Sequence, residues 1–169
     1  MTAADIPLVG RWRAADERQR LLQMIQPALI GLIDGTISTL APIFAAAYIA
    51  GSHAALLVGL AAALGAAISM GMSEGLSDDG AITGRGESLT RGMITGVATF
   101  VGGTAHALPF LINDIHTALT VAYIVVSVEL VVIAWVRKRF LGVALKTSLI
   151  QVTLGGTIVA GVGILVGHA

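Results

Sequence analysis

Four side chains in this sequence carry chemistry that an apolar chain has little reason to keep: Asp34, Met70, Glu74 and Glu129. Each lies inside, or at the edge of, a long apolar run. An ionisable residue in such a run is costly to place and marks either function or a specific partner. Carboxylate oxygens suit hard and borderline cations, whereas a thioether is softer and favours later transition metals over Mg²⁺ or Ca²⁺. Met70 and Glu74 are four apart and share one face of a helix. Together these groups have the chemistry of a path for a divalent transition metal. A carboxyl group withdrawn from water tends to hold a proton, and an arriving cation would displace it. One group can then serve metal and proton in turn, the minimum that antiport requires.

Each residue also has a plainer role open to it. Asp34 can bond a neighbouring helix or, with Gly35, mark a helix break. Met70 can fill core space. Glu74 sits near an interface and can snorkel, and Glu129 can pair with a basic group or a backbone donor. His106, near the outer end of its span, can relay protons or bond a carbonyl. The stretch SDDGAITGRGE holds Asp78, Asp79 and Glu87, which can concentrate cations at an entrance. A solvated turn is the default there, and the spacing fails the EF-hand pattern. Asn113, Asp114 and His116 form a second short polar turn. There is no HExxH or P-loop signature, and no cysteine. Nothing supplies a catalytic nucleophile. The chain reads as a non-enzyme with no fixed cofactor, its metal being cargo.

The elements that must position these groups follow from composition. The chain has 169 residues, 56% hydrophobic and only 12% charged, and a mean hydropathy of +0.88. Charge is about half the usual share, too little to cover a water-facing surface. Lys+Arg and Asp+Glu number 10 each, so no basic field invites nucleic acid. A membrane span needs about 20 apolar residues. Five stretches qualify: residues 27–50, 54–76, 92–112, 117–136 and 148–167. The fold class expected is an all-α membrane protein of five transmembrane helices. Residues 1–24 form a cytoplasmic or interfacial segment, and residues 25–167 form one multi-pass domain. The stretch RWRAADERQRLL should extend the first helix into the interface with Trp12 near headgroup depth, the alternative being a disordered tail. A cleaved signal peptide is not expected, because the first apolar run is too long and contains Asp34.

All 10 basic residues fall on one side of this arrangement. The positive-inside rule then places the N-terminus in the cytoplasm and the C-terminus opposite, in a membrane such as the bacterial inner membrane. At about 1.5 Å per residue, Asp34, Met70 and Glu129 each lie about 9–10 Å from the cytoplasmic boundary, in one layer, with Glu74 at its mouth. Pro42 should kink the first span and Pro109 the third. Glycines at 92 and 96, through the second span, and at 155, 156, 161 and 163 allow close helix contact. That contact can lie within one copy or between two.

Two stretches, GLIDGTISTLAPIFAAA and GAAISMGMSEGLSDDG, resemble the vacuolar iron transporter family. The phrases LSDDG, TGRG and VELVVIAW are similar to the membrane domain of bacterial membrane-bound ferritins. The likeness covers about residues 25–167. It implies a homodimer in lipid with a metal path near its two-fold axis, and proton-coupled export of Fe²⁺, with Mn²⁺ as a second substrate, from the cytoplasm. It implies that Asp34, Met70 and Glu74 hold metal and that Glu129 lines the path. It departs from the family in two places. The link over residues 77–91 is too short for a soluble metal-collecting domain, and only some 24 residues precede the first span, with no Glu-x-x-His pair. A ferritin-like soluble domain or protein is therefore an implied partner, and the chain is either a stand-alone transporter or a membrane domain. The competing expectations are a membrane scaffold or anchor of a larger iron-handling complex, and a channel for protons or small solutes.

Overall fold

The computed structural model describes residues 16–169, and Trp12 lies outside them. Among the described residues every regular element is helical. A five-residue π-helical turn, Leu21–Ile25, leads into α1 (Gln26–Ser38). Then follow α2 (Leu40–Ser77), α3 (Ser88–Ala105), a 3₁₀ turn (Leu108–Leu111), α4 (Ile115–Leu141) and α5 (Leu145–Gly167). Three helical runs are long and apolar enough to cross a membrane: Asp16–Ser77, Ile115–Leu141 and Leu145–Gly167. Large apolar side chains such as Leu57, Ile68, Val97, Ile124 and Ile158 point outward. An apolar exterior of this kind is compatible with a bilayer.

The first run spans 62 residues. A straight helix of that length would be about 93 Å long, and packing shows that it is not straight. A methyl group on Gly59 would lie 3.0 Å from the Ile43 side chain, although the two residues are 16 apart in sequence. The reversal occurs at Gly51, whose φ of 82° and ψ of −172° are open to glycine and strained for other residues. The polar link expected over residues 51–53 is thus a one-residue corner, with residues 52 and 53 already helical. A gentler break falls at Thr39. Pro42 has no N–H to bond the Ser38 carbonyl, so the helix loosens a turn before the proline.

α3 is wedged between α1 and the second limb of α2 by missing side chains. A Cβ on Gly35 would fall 2.0 Å from the Thr99 carbonyl oxygen, and one on Gly92 would fall 2.6 Å from that of Gly71. Glycine here permits backbone approach that alanine would forbid. The Gly92 and Gly96 pair therefore packs within one copy. Two buried hydroxyls share the seam: Thr95 donates to the Pro27 carbonyl and Thr99 to that of Thr95. α4 closes the bundle through larger side chains, Leu130 and Ile133 in one cluster with Phe44 and Phe110, whereas α5 meets the first limb of α2 at Gly163, where a Cβ would fall 2.5 Å from the Ala41 carbonyl oxygen.

One expectation fails. The third span does not run helically to Ile112: α3 stops at Ala105. Proline disfavours helical backbone in the residue before it, so Pro109 stops the helix short of Leu108. The chain continues through the 3₁₀ turn instead. Ala107 packs on Gly59, which is eight residues from the Gly51 corner. The end of α3 therefore lies about 12 Å short of that corner, inside the bundle. His106 caps α3 at that depth, not near the outer end of a span.

Candidate functional site

His106 is fully buried, and both ring nitrogens are engaged. Its Nδ1 lies 2.9 Å from Glu129 Oε2 on α4, and its Nε2 lies 2.8 Å from Thr39 Oγ1 at the break before α2. The Thr39 hydroxyl donates in turn to the Gly35 carbonyl at 2.8 Å. Three elements thus meet in one hydrogen-bonded line, Glu129–His106–Thr39–Gly35. Each end has a local cause. The early stop of α3 turns His106 inward, and the break before Pro42 places a hydroxyl opposite its ring. Glu129 belongs to an α4 face that also buries Ala122, Val126, Leu130 and Ile133.

Asp34 lies one residue before this line's last acceptor, but its side chain is elsewhere. Gly31 and Gly35 turn the packed face of α1 to α3. Asp34 is half-buried, flanked one turn either side by exposed Ile30 and Ser38, and Ser38 bonds its carboxyl group. Met70 is likewise half-buried on the second limb of α2, next to Gly71 of the α2–α3 seam. Through His106, Glu129 is tied to Thr39, which lies five residues beyond Asp34, about 7 Å further along α1.

Glu74 is bound by arginines. Its Oε1 accepts from Arg85 at 2.6 Å and from Arg91 at 2.9 Å. Arg91 is fully buried, and its Nη1 and Nη2 donate to the Gly86 and Asp78 carbonyls, both at 2.6 Å. The result is a charged clamp that holds the 78–87 loop under the α2–α3 seam. The loop's own acids serve its turns. Asp78 accepts from the Gly80 N–H and the Thr83 hydroxyl, Asp79 from the Ala81 N–H, and Glu87 from Thr90. The Thr83 hydroxyl first, then the Gly80 amide, hold the Asp78 carboxyl below its usual range. Asp114 is the N-cap of α4, and its bonds to Thr117 lower it in the same way. His116, one residue into that helix, is exposed.

Thr39 and Arg91 were not singled out from sequence as site residues. The signals were present but faint: a mid-span threonine three residues before a proline, and an arginine next to a glycine. Among the described residues, no three His, Asp or Glu side chains of one copy converge as a metal site. The chain matches no protein-family model, no curated protein and no solved structure.

Proposed function

We propose that this chain is a proton-coupled transporter that exports Fe²⁺, and secondarily Mn²⁺, and that it belongs to the vacuolar iron transporter family. Five crossings give it a cytoplasmic N-terminus and an opposite C-terminus. Support for five comes from the Gly51 corner, which divides the first helical run into residues 16–50 and 52–77, each long enough for a bilayer. The third crossing is α3 extended by its 3₁₀ turn. All basic residues then face one side, which in a bacterial inner membrane is the cytoplasm.

The observation that carries the reading is Asp34, a carboxyl group in the middle of an apolar helix, on a stripe that one copy leaves uncovered. A carboxylate facing hydrocarbon is expensive, so the stripe calls for a cover. A second copy across a two-fold axis would supply it and bring a second Asp34 and Met70 to the same place. Two carboxylates and two thioethers form a ligand set suited to Fe²⁺ or Mn²⁺ rather than Mg²⁺. Glu74, in its arginine clamp, lies at the cytoplasmic mouth.

The test is Fe²⁺ and Mn²⁺ uptake into proteoliposomes carrying an internal pH dye, with wild type beside Asp34→Ala. The reading predicts metal flux with a linked pH change, abolished in a variant that still forms the dimer. It also predicts that Met70→Leu weakens Fe²⁺ handling more than folding. A folded wild type that moves no metal would favour the scaffold or anchor role, and normal transport by Asp34→Ala would remove the proposed site.

A further inference from the structure

The hydrogen bonds around His106 fix where protons can be. A threonine hydroxyl has one hydrogen. Thr39 gives it to the Gly35 carbonyl, so Thr39 Oγ1 can only accept from His106, and Nε2 must carry a hydrogen. At 2.9 Å, Nδ1 and Glu129 Oε2 also need a proton between them, because two bare lone pairs would repel. The arrangement therefore holds one proton on Nε2 and one shared between imidazole and carboxyl, with no net charge.

Removal of one proton has a single hydrogen-bonded outcome. Nδ1–H donates to the Glu129 carboxylate and Nε2 becomes an acceptor. The Thr39 hydroxyl must then turn from Gly35 to Nε2. Loading and unloading thus moves one hydrogen bond on and off the Gly35 carbonyl, and the unloaded state leaves one net negative charge inside the bundle. A cation bound at Asp34, the residue before Gly35, would offset that charge across a low dielectric.

We propose that His106 and Glu129, linked to α1 through Thr39, form the site that carries the coupling proton, separate from the metal ligands. The proposal rests on the transporter reading for the word coupling, but not for the proton site itself. No fixed charge competes there. Among the described residues, Glu129 from α4 and Thr39 from α1 are the hydrogen-bond partners of His106. The second limb of α2 contributes Gly59 and Ala63, which pack beside Ala107 and Gly103. Of the other ionisable groups on these elements, Asp34 is half-buried on α1, and His116, Lys138 and Arg139 on α4 are exposed. Tyr123 pairs with Tyr48, Arg137 bonds Gln151, and Arg91 sits in the Glu74 clamp.

Two measurements on the full chain test this. In proteoliposomes, metal-for-metal exchange at equal pH needs no proton turnover, whereas accumulation driven by a pH gradient does. Glu129→Gln should lower gradient-driven accumulation about 100-fold more than it lowers exchange, as expected when a positioned proton carrier is removed. Thr39→Ser should behave as wild type, and Thr39→Val should not. Gradient-driven accumulation by Glu129→Gln at the wild-type level would overturn the proposal. If wild type itself exchanges no metal, the transporter reading fails and ¹⁵N NMR of His106 decides the proton site alone. The proposal then expects His106 Nε2 to lose its hydrogen while Nδ1 keeps one as pH is raised, a change absent in Glu129→Gln. A pH-invariant Nδ1–H ring in wild type would sink it.

Discussion

Glu74 and Glu129 are the same residue type with nearly the same exposure, their side chains being 10% and 12% accessible. They differ in what faces them. Glu74 meets two guanidinium groups that stay charged at any working pH, whereas Glu129 meets an imidazole that can gain or lose a proton. The first arrangement has one stable charge state and so behaves as a clamp. The second has two that hydrogen bonding can satisfy and so can behave as a switch. Burial alone does not make a carboxyl group functional, since the partner decides whether its charge can change.

The largest effect should come from breaking the clamp. Arg91→Ala leaves Glu74 without its buried partner and two loop carbonyls without donors. It should cost about 3–5 kcal/mol, visible as a lowered thermal unfolding midpoint in detergent. Next, Glu74→Gln should destabilise by about 1.5–3 kcal/mol, because hydrogen bonds to charge are lost. The matched change Glu129→Gln should cost no more than about 1 kcal/mol, since an amide can still bond imidazole. Equal losses at the two positions would erase the distinction. A smaller effect, about 1 kcal/mol, is expected for Thr39→Val, with Thr39→Ser close to neutral. Arg85, which is partly exposed, should matter less than Arg91 in the same unfolding assay.

The smallest effect concerns acid. Asp78 has a folded-state value below its unfolded one of about 3.9. Its contribution to the loop is therefore full above that unfolded value and disappears as pH falls through the lower folded one. Relative to an unstructured amide at the same pH, hydrogen exchange at the Gly80 amide should be slow at neutral pH and accelerate only below the ordinary carboxylate range. Acceleration that begins near neutral pH would point instead to titration of a histidine.

Much of the helical organisation was legible because apolar run length and glycine content report directly on helices that pack in a bilayer. Asp34, Glu129 and His106 stood out for the same reason, as ionisable residues in apolar surroundings. What could not be read was which of them meet. The His106–Glu129 contact depends on α3 stopping at Ala105, and Pro109 signalled a kink without revealing that the helix would end inside the bundle. Thr39 carries no charge, so nothing in composition distinguishes it from the hydroxyls at 95 and 99. Arg91 was read as part of a topological charge count, and only the folded loop reveals its bonds to Glu74, Gly86 and Asp78.

The glycine seams bear on how such a bundle can move. Where Gly35 meets Thr99 and Gly92 meets Gly71, there is no room for even one added methyl group. A ratchet of α3 by one residue would drive side chains into those gaps, so α1, the second limb of α2 and α3 must travel as a single rigid body. α5 is seamed in the same way to the first limb of α2, where a Cβ on Gly163 would fall 2.5 Å from the Ala41 carbonyl oxygen, so any cycle that opens the bundle alternately to its two faces hinges on α4. The bond between Glu129 and His106 crosses that boundary, from α4 to the seamed block.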